Sequence, residues 1–198
     1  MHIHLVIAHY QEDLLWLDAL LKSNSNLTYT IYSKGDSCML PHIKLENRGR
    51  ESDTFLRYII DNYNNLPDLV AFLQGKPHAS LEGELATALS NYDNEKAYPL
   101  SQGVFPSCVN RCDWVDMPLK EFATRLFTNH SFDFNKQYLF LGGAEYLVRK
   151  EVLLRKSLEW WKHTLKLHDE YLNYPGWQTG SPWMMERLWP LIWRYTDK

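Results

Sequence analysis

The chain has 198 residues, of which 45% are hydrophobic and 23% charged, and its net charge is −3. That length suits a single domain with a core of its own, in no need of staples. The charge makes no case for nucleic acid as a partner, and no apolar run approaches the ~18–20 residues of a membrane span.

The N-terminus, Met1-His2-Ile3-His4-Leu5, lacks the basic region and small-residue cleavage site of a secretory signal. It reads as the first strand. Three cysteines, Cys38, Cys108 and Cys112, fit a reducing compartment, and the expected location is cytoplasmic. Cys108 and Cys112 lack the second pair that a tetrahedral zinc site needs. Six of the eight tryptophans lie at or after Trp160. Core packing and stacking on a flat ligand are both open to them.

Residues 3–9 form an apolar strand, followed by Tyr10-Gln11-Glu12-Asp13. Leu14, Trp16, Leu17, Leu20 and Leu21 then recur at helical spacing, with acids at the start to suit the helix dipole. Residues 28–32 read as a second strand with a Lys34-Gly35-Asp36 turn after it. Strand, helix, strand is the opening of a parallel α/β sheet. Residues 46–52 read as a charged loop. Phe55, Leu56, Ile59, Ile60 and Tyr63 give the next helix, which ends at Asn64-Asn65-Leu66-Pro67.

Residues 69–73 are too short for a helix and apolar enough for a buried strand. They stop abruptly at Gln74-Gly75-Lys76-Pro77. Ligands of α/β proteins bind beyond the carboxyl ends of such strands, so Gln74, Lys76 and His78 either line a site or form an ordinary turn. Ser80 is placed to cap a helix carrying Leu81, Leu85, Ala88 and Leu89. Residues 91–117 read as irregular, and Pro118 as the first position of a helix. In 138–148, two apolar runs flank Gly142-Gly143, which let the backbone bend or approach a ligand closely. Residues 150–172 are helical in pattern with a break near Arg155-Lys156. Ser181-Pro182 starts the last helix, with Ser as cap and Pro in first position.

No Walker loop, nucleophile elbow, dinucleotide fingerprint or zincin motif is present. The eight histidines show no metal-ligand spacing. His2 and His4 share a strand face, where a structural role is the expectation.

Asn47-Arg48-Gly49-Arg50-Glu51, the helix after it, Phe72-Leu73-Gln74-Gly75, Gly142-Gly143-Ala144-Glu145-Tyr146-Leu147-Val148 and Glu186-Arg187-Leu188-Trp189 together resemble a family of uncharacterised glycosyltransferase-like proteins. That family's layout is similar to the GT-A class of nucleotide-sugar-dependent glycosyltransferases. The resemblance covers nearly the whole chain. It implies a single-domain, three-layer α/β fold with a mostly parallel central sheet. It also implies a glycosyltransferase, hexosyl or pentosyl, that moves sugar from a nucleotide sugar to a glycan or other hydroxyl acceptor. On that layout His9, Tyr10, Glu12, Asn47, Arg48, Arg50, Glu51, Gln74 and Lys76 hold the donor. Gly142, Gly143, Trp177 and Trp183 face the acceptor. The same fold could serve a non-catalytic carbohydrate-binding or assembly protein.

One departure stands out. GT-A enzymes commonly hold a divalent cation, manganese or magnesium, with an Asp-x-Asp motif after the central strand. Here Gln74-Gly75-Lys76 takes that place, and neither Gln nor Lys suits a hard cation. No metal ligand is therefore assigned. Either Lys76, with Arg48 or Arg50, neutralises the diphosphate directly, or a cation is held through other groups; the first reading is preferred. The base that takes the acceptor proton is sought among Glu186, Glu145 and then Glu51. The apolar neighbours of Glu186 would raise its pKa, unless it forms a buried ion pair that holds its helix. Trp177 and Trp183 are open to sugar stacking or to the core.

Overall fold

A computed structural model describes residues 2–77, 97–100, 103–110, 117–128, 133–176 and 180–196. Strand β1 (Ile3–His9) leads through helix α1 (Leu15–Ser23) to β2 (Leu27–Ser33), and β3 (Ile43–Lys44) follows. Helix α2 (Arg50–Asp61) and a short 3-10 turn lead to β4 (Leu69–Gln74). Then come β5 (Tyr98–Pro99), β6 (Val104–Ser107), α3 (Leu119–Leu126), β7 (Tyr138–Leu141) and β8 (Tyr146–Arg149). Helices α4 (Lys150–Leu153), α5 (Leu158–Glu170) and α6 (Ser181–Arg194) close the chain.

The fold is mixed α/β. Six strands form one sheet in the order β3-β2-β1-β4-β8-β5, and β6 and β7 pair separately. Neighbours from β3 through β4 run parallel, whereas β8 is antiparallel to β4 and β5 to β8. Period-two alternation divides β1 between two cores. Ile3, Leu5 and Ile7 meet Leu17 and Leu20 of α1 on one face. Val6 points the other way, with Val70, Phe72 and residues of α2, α3, α5 and α6. Trp160, Trp161, Trp189 and Trp193 belong to this second core: Trp189 and Trp193 stack at 4.8 Å, and Trp193 stacks on Phe72 at 6.1 Å. Their apolar area serves packing, the commonest use of large aromatics.

The strands at 3–9 and 69–73, the break near Arg155 and the two runs around Gly142-Gly143 are all found where the sequence puts them. Other expectations shift. Residues 50–52, read as loop, are the first turn of α2, and Glu51, Ser52, Asp53 and Thr54 are buried in it. Ser181 does not cap α6: Gly180 precedes the helix, and the Ser181 hydroxyl donates to the His168 carbonyl at 2.6 Å. Glu12 and Asp13 precede α1 rather than lie in its first turn. The stretch at 91–117 contains β5 and β6. The helix expected from Ser80 lies outside the described residues. His2 and His4 bond Thr28, and His4 also Thr30, a structural role as expected.

Candidate functional site

The connections of the sheet diverge between β1 and β4. From β1 the chain passes through α1 to β2 on one side; after α2 it returns to β4 on the other. Such a switch opens a crevice at the carboxyl ends of the two strands. Gly75 crosses it closely, its N–H donating to the Ala8 carbonyl at 2.8 Å. A Cβ on Gly75 would come within 2.4 Å of Glu12 Oε2 and 3.2 Å of His9 Cα. Glu12 is turned back, accepting the N–H groups of Tyr10 (2.7 Å) and Gln11 (3.1 Å). His9 is buried between Ser33 Oγ (2.9 Å) and the Glu12 carbonyl (3.1 Å). That carbonyl can only accept, so His9 Nε2 carries hydrogen. His9 and Glu12 thus shape the crevice floor, and Tyr10 is exposed at its rim.

The start of α2 forms a second wall. Gly49 (φ 64°) and Arg50 (φ 49°) are both left-handed. A Cβ on Gly49 would come within 2.6 Å of both Asp53 Cβ and His168 Nε2, so only glycine fits. The buried Lys34 ammonium donates to the Arg48 carbonyl (2.5 Å) and the Arg50 carbonyl, and pairs with Asp53 at 3.2 Å. Burial draws its pKa down, against the pull of Asp53. Arg57 holds Asp53 at 3.0 Å, and Arg48 donates to Asp169 at 2.5 Å. Arg50 lies over the Trp183 ring at 5.0 Å and 3.5 Å from Glu51. Burial pushes the Glu51 carboxyl up to about 7; Arg50 opposes this and the Glu186 charge adds to it. The His168 ring has no hydrogen-bond partner, and burial pulls its pKa down to about 4. Asn47 is exposed.

The third wall is the turn between β7 and β8. Gln74 joins it twice, its N–H donating to Glu145 Oε1 (3.3 Å) and its side-chain amide to the Gly143 carbonyl (3.1 Å). The Gly143 N–H donates to Glu186 Oε1 at 2.6 Å. Gly143 (φ 91°) and Ala144 (φ 55°) are left-handed, which turns that N–H toward α6. Glu186 lies 3.9 Å from Arg187, which packs over Phe140 at 5.0 Å. Gly142 donates to the Gly103 carbonyl, away from this network.

The structure therefore joins Gln74, Gly143, Glu145 and Glu186, and brings Arg50, Glu51 and Trp183 together nearby. Lys76 is exposed. Trp177 and His78 lie outside the described residues. Lys34, Asp53 and His168 were not singled out by the sequence reading. The spacing of Asp53 and Arg57 signals a helical pair, but nothing local announces Lys34 as their partner. Among the described residues no group of three or more His, Cys, Asp or Glu side chains is placed to hold a metal ion.

Residues 5–98 match the model of a family described as protein of unknown function (DUF3431). That span runs from β1 to the start of β5, and so includes the crevice floor and the α2 wall. Glu145, Trp183 and Glu186 lie beyond it. No curated protein and no solved structure matches the chain. No helix among the described residues is long and apolar enough to cross a membrane.

Proposed function

We propose that the chain is a glycosyltransferase of GT-A-like fold, acting on a nucleotide sugar and a hydroxyl acceptor. The observation that carries this reading is Glu51. It is a carboxyl with a pKa of about 7 beside Arg50, at the carboxyl edge of a parallel sheet. A general base works best with a pKa near the working pH. Glu51 thereby replaces Glu186 as the preferred base, because the Glu186 carboxylate already accepts the Gly143 N–H. The position of β8 supports the same reading: it lies against β4, bringing the acceptor-side turn to Gln74.

In the step proposed, Glu51 takes the acceptor hydroxyl proton. The acceptor oxygen bonds to the anomeric carbon as the bond to the diphosphate breaks, and the electron pair leaves with the nucleoside diphosphate. Arg50 and Lys76 supply positive charge for that leaving group. Glu186 and Gln74 fix the Gly143 turn that faces the acceptor, and Trp183 offers a ring face for a sugar.

Calorimetric titration with UDP-, GDP- and dTDP-sugars, with and without manganese, tests the proposal. Binding of at least one donor is expected. Binding of none, together with binding of glycans, would favour the non-catalytic carbohydrate-binding reading instead. With a donor in hand, Glu51→Gln should lower transfer by roughly 10²–10⁴-fold and leave donor affinity within about twofold. Glu186→Gln should lower transfer less. The reverse order would return the base to Glu186.

A further inference from the structure

Strand β2 ends at Ser33, and Lys34 is the next residue. Its N–H donates to the His9 carbonyl at 2.9 Å, which extends the pairing of β2 with β1 by one bond and makes the Lys34 main chain part of the crevice floor. Its buried side chain crosses to the α2 wall. There the ammonium donates to the Arg48 carbonyl at 2.5 Å and to the Arg50 carbonyl, and lies 3.2 Å from Asp53. Asp53 also has Arg57 at 3.0 Å and Arg48 at 3.8 Å. Neutralising Asp53 therefore explains only part of where Lys34 sits.

The two carbonyls bracket the left-handed pair: that of Arg48 stands just before Gly49, and that of Arg50 just after Arg50. Glycine takes this conformation freely; Arg50, with its Cβ, does not. One ammonium bonded on both sides of the pair holds it there. The same bond fixes the peptide between Arg50 and Glu51. That peptide is trans, so its N–H points away from Lys34 as its carbonyl points toward it. The N–H is that of Glu51, and it acts on the Glu51 carboxyl. Burial raises the pKa of that carboxyl, the Arg50 charge and this N–H lower it, the Glu186 charge raises it, and the Lys34 charge, weakest of these, lowers it. The peptide that Lys34 holds thus matters more to Glu51 than the charge of Lys34 itself.

We propose that Lys34 is a positioning residue: by holding the carbonyls on either side of Gly49 and Arg50, it sets the Glu51 carboxyl and the Arg50 guanidinium at the α2 wall of the crevice. This rests on the reading of Glu51 as the base. The test follows the Glu51 titration by carbon-13 NMR of the full chain, its signal identified by its loss in Glu51→Gln, and measures transfer against pH. Lys34→Met should move the Glu51 titration to higher pH, and the rising limb of the rate profile with it. The maximal rate should fall by roughly 10²-fold, the cost of a displacement of about 1 Å. Asp53→Asn removes the ion pair and leaves the two carbonyl bonds, so it should leave the titration in place and the rate within about threefold of wild type. An ion pair that only supports the fold would make these two variants alike. Lys34→Met/Asp53→Asn removes both buried charges together, and should fold and show the same upward move. If no donor is turned over, the glycosyltransferase reading fails, while the titration still decides whether Lys34 sets the carboxyl. An unmoved Glu51 titration in Lys34→Met or in the double variant, an equal move in Asp53→Asn, or loss of the fold in the double variant would overturn the proposal.

Discussion

The middle of β4 and the first turn of α2 are both buried, and they are opposites. Leu69, Val70, Ala71, Phe72 and Leu73 are apolar, and the strand's register pairs it with β1 and β8. Glu51, Ser52, Asp53 and Thr54 are just as hidden, yet they carry two carboxyls and two hydroxyls. Lys34 and Arg57 hold Asp53, Arg50 stands beside Glu51, and the Ser52 and Thr54 hydroxyls have no hydrogen-bond partner. Two successive left-handed residues lead into the turn. Burial of the first kind stabilises a fold; burial of the second opposes it. Strain, buried charge and unpartnered hydroxyls collected at one place mark it as the candidate for function.

Truncation on the β4 side should have the largest effect. Phe72 lies 5.0 Å from Phe55, 6.2 Å from Tyr58 and 6.1 Å from Trp193, ring centre to ring centre. Phe72→Ala should cost about 3–5 kcal/mol in urea unfolding. A loss below about 1 kcal/mol would mean that the sheet and α6 are not packed there.

On the α2 side the sign should reverse. The folded Glu51 carboxyl titrates near 7 against an ordinary value of 4.5. The folded state thus holds this proton more tightly than the unfolded chain, and stability falls as pH rises from 4.5 to 7. At pH 8 the buried charge costs roughly 3 kcal/mol, so Glu51→Gln should be more stable than wild type there and about equal at pH 4. His168 acts oppositely, because its folded value of about 4 lies below its ordinary 6.5. The unfolded chain takes up that proton first, and stability falls as pH drops from 6.5 to 4. The two slopes oppose each other between 4.5 and 6.5. Glu51→Gln should expose the His168 slope, with stability rising with pH across that window. A variant less stable than wild type at pH 8 would show that the Glu51 charge is well compensated.

The same contrast explains what the sequence revealed. A buried strand is written in its own residues, so residues 69–73 announce β4. The first turn of α2 is not, because its apolar period begins only at Phe55 and its Asp53 is held by Lys34, just past the end of β2. Glu186 drew attention through its apolar neighbours, Met185 and Trp189. Burial is set by what packs over a side chain, and it is Glu51 that loses more water. Strand direction left no mark either: nothing in 146–149 distinguishes an antiparallel β8 from a parallel one. The Gly142-Gly143 break was visible; its bond to Glu186, from the far end of the chain, was not.

The smallest effect on stability should come from Lys76. It is exposed, and among the described residues no hydrogen bond or ion pair reaches it. Lys76→Ala should therefore change unfolding free energy by less than about 0.5 kcal/mol. Its effect on donor binding is a separate matter. Arg48 is committed to Asp169 and Lys34 to Asp53, which among the described cations of the crevice leaves Lys76 and Arg50 for a diphosphate to engage without breaking a tight pair. Lys76→Ala should then weaken donor binding about tenfold, the scale of one charged hydrogen bond. Arg48→Ala should chiefly destabilise the fold. If Arg48→Ala instead weakens the donor at unchanged stability while Lys76→Ala does nothing, the diphosphate sits on the α2 turn itself, and the buried charge there has a ligand to meet.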